Sequence, residues 1–478
     1  MKIYHRLWVV VAALLLFSHG VYADTTDTTP AWVKIVGAHH LPEKYKVFAA
    51  TAYGAVNDGK TLDTKFIQNA IDDCSARGGG IVTFAPGKYL TGAIYLKQNV
   101  QLQIAKGVEL LGSQDIADYP EIPTRIAGIE MLWPSALINV LHQHKVSITG
   151  SGTINAQGKV FWDKYWQMRK DYEAKGLRWI VDYDAKRPRT ILVSNAEDVT
   201  LSGVTIQQAG FWTIQLLYSK FITIDGLTIR NNIDGYGPST DGIDVDSSAD
   251  ILIQNCDIDC NDDNFCLKAG RDWDGLRVNR PTEYVVIRNC IARTGSGLLT
   301  IGSETSGGIR HVWAIHLMAT GTKNGLNIKS AITRGGTVED IHFQNIEMKD
   351  VGTAIAVNMN WNPAYSYSAL PAGYDTAHIP PHWKKMLTKV DPAEKGMPHF
   401  KDVYISDVHV SGAKLGISVT GLPQSLVTGF HFHNVSIQAK SAGSINFASN
   451  WDFDQVSIVA EDGGMVNINE SEDVKILK

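Results

Sequence analysis

Two adjacent aspartates, Asp262 and Asp263, stand inside the stretch NCDIDCNDDNFCLKAG (255–270), with Lys268 five residues further on. A third carboxylate, Asp241, lies in STDGIDVD. Carboxylates gathered in this way suit cleavage of a glycosidic bond. One protonated acid donates to the leaving oxygen, while another carboxylate activates water or attacks. Like charges held close raise one pKa, which keeps the donor protonated. Two other readings fit the same residues: a solvated acidic turn, and a calcium site of oxygen ligands, although EF-hand spacing is absent.

These groups can act together only if the chain stacks them, and a repeat supplies the stacking. VTLSGVTI begins at Val199, and comparable octets begin at Ile222, Ile251, Val285, Val312, Ile341, Val403 and Phe430. Positions 1, 3, 6 and 8 are apolar or small, and position 5 is Gly, Asn, Asp or, once, His316. Alternation with period two predicts a strand with one buried face. The mid-octet slip predicts a bend, and Gly, Asn and Asp tolerate the left-handed backbone it needs. The starts lie 23, 29, 34, 27, 29, 62 and 27 residues apart, and the widest interval predicts an extra coil around Gly352 to Met359. Coils too thin to bury their own faces must stack, which predicts an all-β solenoid, a parallel β-helix. A β-propeller would need about 40 residues per blade and hairpin turns. Helical pattern is scarce. TKFIQNAIDDC (64–74) has helical spacing and predicts a short N-terminal capping helix.

The register then places the chemistry. Asp262 and Asp263 are 11 and 12 residues beyond Ile251, as Ser296 and Gly297 are beyond Val285. Lys268 is 17 beyond Ile251, and Asn327 and Lys329 are 15 and 17 beyond Val312. Equal offsets in stacked coils lie one above another, about 4.7–4.9 Å per step. Asp262, Asp263, Ser296, Asn327 and Lys329 are therefore expected in one patch.

Residues 1–23 read as a secretory signal peptide: Lys2 and Arg6, an apolar run from Leu7 to Phe17, then VYA ending at Ala23. The run is too short to span a bilayer. Its removal predicts a secreted or periplasmic chain, with a single domain over 24–478. The formal charge of −5 becomes −7 without Lys2 and Arg6, which argues against non-specific nucleic-acid binding. The five cysteines (74, 256, 260, 266, 290) lack zinc-ligand spacing. They read as buried small residues with room for one disulfide.

Four motifs in this order resemble glycoside hydrolase family 28, the polygalacturonase-like right-handed parallel β-helix enzymes. The family's Asn-Thr-Asp is STD (239–241), its Gly-Asp-Asp is NDD (261–263), its Gly-His-Gly is GSG (295–297), and its Arg-Ile-Lys is NIK (327–329). AYGAVNDGKTLDTKFIQNAIDDC and AGFWTIQL resemble the family's opening and its tryptophan-containing strand. The resemblance implies an inverting hydrolase of α-linked, galacturonate-containing pectin chains; the signal peptide makes it an exported one, and no metal or cofactor is expected. Asp262 would be the general acid, Asp241 and Asp263 would hold and deprotonate water, and Lys329 would bind the substrate carboxylate. Ser296 replaces the family histidine, and Asn327 the arginine, whose bidentate grip asparagine cannot reproduce. This pattern implies retained hydrolysis with an altered sugar site.

GRDWDGLRVNRPTEY (270–284), with Arg271, Arg277 and Arg280, is longer than a bare turn. IGSETSGG (301–308) resembles bacterial exo-acting members and puts Glu304 near the site. Residues 360–400 form one long insertion rich in Pro, Tyr, His and Trp. The first two stretches predict a pocket for a chain end, and the insertion reads as a functional loop. The expected sugar contacts are Lys329, Asn327, Ser296, Lys268, Glu304 and Arg271, with Trp212 either a platform or packing. Other readings are a glycosidase for rhamnogalacturonan or pectin side chains, a polysaccharide lyase, and a non-catalytic glycan-binding β-helix. The retained acid trio argues against the lyase.

Overall fold

The computed structural model describes residues 29–42, 46–233 and 235–475; the expected signal peptide lies outside them. All eight repeat starts form one column. Val199 pairs with Ile222, Ile222 with Ile251, Ile251 with Val285, and Val285 with Val312. The column continues through Ile341, Val403 and Phe430. Ile251, Val285, Val312, Ile341 and Val403 are completely buried. Each such side chain contributes about 1.5–3 kcal/mol relative to exposure. The result is a right-handed parallel β-helix.

The bend at position 5 recurs in every copy. Gly203, Gly226, Asn255, Asn289, His316, Asn345, Asp407 and Asn434 all have φ between 51° and 75°. Corner side chains also bond between coils: Asn255 Nδ2 donates to Asp225 Oδ1 and Asn434 Nδ2 to Asp407 Oδ1, each at 2.7 Å. A second left-handed residue precedes the copies, at Asp198, Phe221, Asp250, Tyr284, His311, Asp340 and Asp402. Phe and Tyr are poor left-handed residues, so residue type concealed this bend.

One expectation of coil number fails. Ile341 pairs directly with Val403, so no extra coil fills the 62-residue interval. Thr353–Asn358 is instead the last strand of the coil begun at Ile341, and pairs with both Asn324–Lys329 and the following coil. Residues 360–400 are an insertion into that single turn. The capping helix is present as Thr64–Ala76 and buries Ile67, Ala70, Ile71 and Cys74 against the first coils.

Helix is more plentiful than expected. Lys159–Ala174 forms a 16-residue helix, followed by the short helix Val181–Asp184. Its buried face is Phe161, Trp162 and Tyr165 among many charges. That face is narrow and aromatic, which masks the helical period. An antiparallel hairpin, Glu121–Ile126 with Ile129–Pro134, also stands off the stack. It turns through Ala127 and Gly128, both at positive φ, where Asn-Gly would have announced it. All five cysteines are buried and free, so the disulfide does not form. Cys256 and Cys290 are neighbours, with the Cys256 amide 3.4 Å from the Cys290 sulfur. Among the described residues no helix is long and apolar enough to cross a membrane.

Candidate active site

Five successive strands form the floor: Ile243–Asp246, Asp263–Lys268, Gly297–Ile301, Asn324–Lys329 and Thr353–Asn358. Ile243, Phe265, Leu299, Leu326 and Ile355 pair in register. Alternation sends those side chains inward and presents their polar neighbours outward. Asp263 pairs with Gly297, and the Ser296 amide donates to the Asp262 carbonyl at 2.7 Å. Asp241 joins them because the Gly242 amide donates to the Asp263 carbonyl at 2.9 Å. The patch expected from register is therefore real, and Asp241, Asp262 and Asp263 bring carboxylate oxygens within 4.8 Å of one another.

The three acids sit in different fields. Lys329 Nζ donates to Asp263 Oδ2 at 2.8 Å and Thr300 Oγ1 to Asp263 Oδ1 at 2.7 Å. Burial alone would raise the Asp263 carboxyl, but Lys329, Lys268 and these hydrogen bonds hold it below the usual range. Desolvation and the Asp263 charge push Asp262 up. Burial, Asp244 and Asp262 push Asp241 well up. One acid is thus kept ionised beside two that favour the proton, and the set titrates together.

Lys268 Nζ lies 3.4 Å from Glu304 Oε2, 3.6 Å from Asp244 Oδ1 and 3.7 Å from Asp241 Oδ2. Burial opposes the charge of Glu304, but Lys268, Arg334, Arg271 and Lys329 hold its carboxyl down at about 2. Asp244, which sequence reasoning passed over, is fully buried, and neither of its oxygens accepts a hydrogen bond. Its outward place opposite Cys266 was the available signal. Asp241, Asp244 and Cys266 could surround a cation, but the Lys268 ammonium already lies beside both carboxylates.

The cavity above this floor holds about 510 Å³ of open space. Lys268, Glu304 and Lys329 line it with the acid trio, and Trp212 and Trp361 form walls. Trp212 stacks on Phe211 at 5.2 Å with Lys268 over its ring, so it is packed wall more than open platform. Three insertions close the sides: the hairpin tip at Ala127, the helical segment bearing Arg178 and Asp182, and the long insertion with Trp361 and Tyr365. Sequence reasoning missed the first two, because they reach the site from more than 50 residues away.

Three expected sugar contacts are placed differently. Arg271 is fully buried and lines no part of the cavity. Its donors go to Asp272, the Tyr183 hydroxyl and the carbonyls of Tyr365 and Ser366, so it braces the insertion from behind. Asn327 is buried beside the cavity and donates to Thr300 Oγ1 at 3.2 Å. Ser296 sits at the edge, holding the Asp262 segment and accepting from the Asn324 amide.

The family described as glycosyl hydrolases family 28 matches residues 95–375. A Vitis vinifera protein named "Probable polygalacturonase" is 31% identical over 396 residues, 80% of this chain and 73% of that one. An exo-poly-alpha-D-galacturonosidase of Dickeya chrysanthemi is 26% identical over 93% of this chain and 79% of its own. Among solved structures, the exopolygalacturonase of Thermotoga maritima superposes with a TM-score of 0.74 at 25% identity, covering 89% of this chain and 94% of that one.

Proposed function

The chain belongs to glycosyl hydrolase family 28 and is a glycoside hydrolase, and on that premise we propose that it is exported and removes galacturonate from the ends of pectin-type chains with inversion. The observation that carries this reading is the walled cavity around one ionised and two proton-favouring carboxylates. Asp262 donates its proton to the glycosidic oxygen as the bond breaks. Asp263 takes a proton from water, and Asp241 orients that water from the neighbouring coil. Lys329 keeps Asp263 charged until the transition state forms. The walls raised by three insertions support exo action, since a continuing polymer needs an open groove at both ends. The similarity to exo-acting relatives by name supports the same choice.

The trio's spacing favours one second reading. Its nearest oxygens lie within 4.8 Å, whereas inverting enzymes usually separate their carboxyls by about 6.5–9.5 Å and retaining ones by about 5–5.5 Å. Direct attack by Asp263 or Asp241 would retain configuration. Proton NMR of the first-formed product anomer decides between the two.

The main test incubates the protein with polygalacturonate, rhamnogalacturonan and their oligomers, beside Asp262→Asn. Saturated monosaccharide released from chain ends, lost about 10²–10⁴-fold in the variant, is the expected result. Unsaturated products would mean a lyase, and binding without any product a glycan-binding protein. Mid-chain products from the start would overturn exo action. N-terminal sequencing of protein from culture fluid and periplasm tests export, with Asp24 expected first.

A further inference from the structure

The two sides of the cavity differ in how far their cations are already paired. On the floor, five carboxylates (Asp241, Asp244, Asp262, Asp263 and Glu304) surround two ammoniums. Both ammoniums are engaged, Lys329 by Asp263 at 2.8 Å and Lys268 by three acids within 3.7 Å. Neither ammonium is free to meet an anionic sugar group, and Asn327 spends its amide on Thr300.

The opposite wall has the reverse balance. Arg178 and Arg187 share Asp182, at 2.6 and 3.4 Å, and the Ser239 hydroxyl also donates to it at 3.1 Å. Arg169 takes most of Glu173, at 2.8 Å against 3.6 Å for Arg178. Three guanidiniums therefore meet two carboxylates. Arg187 is buried, and its other donors go to the carbonyls of Pro238 and Ala185, so the surplus charge surfaces at Arg178. Arg178 lines the cavity with a side chain 16% exposed. Its Nη1 bonds Asp182 and its Nε faces Glu173 at 3.6 Å, which leaves Nη2 as the donor open to a ligand. Its guanidinium lies 5.0 Å from the Tyr365 ring, and Arg271 lies 4.7 Å from the same ring. That ring holds the guanidinium in place before any ligand arrives.

From this geometry we infer that Arg178 is the specificity-determining residue: it grips the carboxylate of the sugar seated in the cavity and so selects a uronate at the chain end. The inference rests on the hydrolase reading above. A guanidinium N–H donating to a carboxylate makes a charge-assisted hydrogen bond, worth about ten- to hundredfold in binding. The residue comes from an inserted helical segment, so specificity is separated from the strands that hold the acids.

The test measures kcat and KM for wild type, Arg178→Met and Arg178→Lys on a galacturonate oligomer and on its fully methyl-esterified form. Wild type should prefer the free acid. Arg178→Met should raise KM for the acid ten- to hundredfold, leave kcat and the ester within about twofold, and so erase the preference. Arg178→Lys should recover only part, because it restores charge without a planar guanidinium that can hold Asp182 and a ligand at once. Ester turnover reports that the variants are folded. Equal losses on both substrates, no loss on either, or no preference in wild type would overturn the inference. If wild type cleaves neither substrate, the hydrolase reading fails, and this one falls with it.

Discussion

Asp263 owes its ionised state first to a coil-to-coil contact, the Lys329 ammonium at 2.8 Å, with Lys268 and Thr300 adding to it. Burial works against that charge, and Lys329 is the largest influence opposing burial. The sign of a pH experiment follows. The base must be ionised, so kcat/KM falls on the acid side as pH drops through the pKa of Asp263. The donor must be protonated, so it falls on the alkaline side as pH rises through the elevated pKa of Asp262. Lys329→Met lets the Asp263 carboxyl rise, and the acid limb should move to higher pH. An unmoved acid limb in the measured profile would remove Asp263 from the role of base. The positions of these acids were legible in the sequence, because equal offsets from repeat starts become neighbours in a stack. Their division of labour was not. It depends on Thr300, Lys268 and Asp244, whose contacts arise only when strands dozens of residues apart pair.

The repeat octet is the element that makes this stacking reliable. Its strands were readable from alternation, and its corner from the Gly, Asn and Asp at position 5. Asn345 is an exposed corner at φ 51°, so its value lies in backbone conformation more than contact. Asn345→Val should cost about 1–2 kcal/mol in urea denaturation, and Asn345→Gly close to nothing. Equal stabilities would mean that the corner does not need a left-handed residue. The interval misread as an extra coil has a clear cause. Strand pattern alone does not say which face of a coil a strand belongs to, and GTAIAVNM repeats the outer octet's alternation while serving as the site floor. The helix Lys159–Ala174 was missed because its buried stripe is three aromatics wide, with charges elsewhere.

At the scale of the whole molecule, insertions that leave the stack return to it through buried contacts. Arg125 of the hairpin meets Asp246 of the floor coil at 2.9 Å, with both side chains fully buried. Arg125→Met would leave Asp246 buried beside an apolar side chain. Stability should fall by about 3–5 kcal/mol, read as a shifted denaturation midpoint, and the hairpin wall of the cavity should loosen. A midpoint unchanged within error would mean that the hairpin is held by other contacts. By itself the sequence determined the solenoid, its capping helix, its corners and the column that gathers Asp262, Asp263 and Lys329. All of these follow from period and offset, which are properties of one chain read in order. Only the tertiary structure decided that the column lies in a walled cavity, that Arg271 braces the insertion from behind, and that Arg178 lines that cavity. Those outcomes depend on where insertions of unrelated sequence fold back across the stack, and no local period encodes that path.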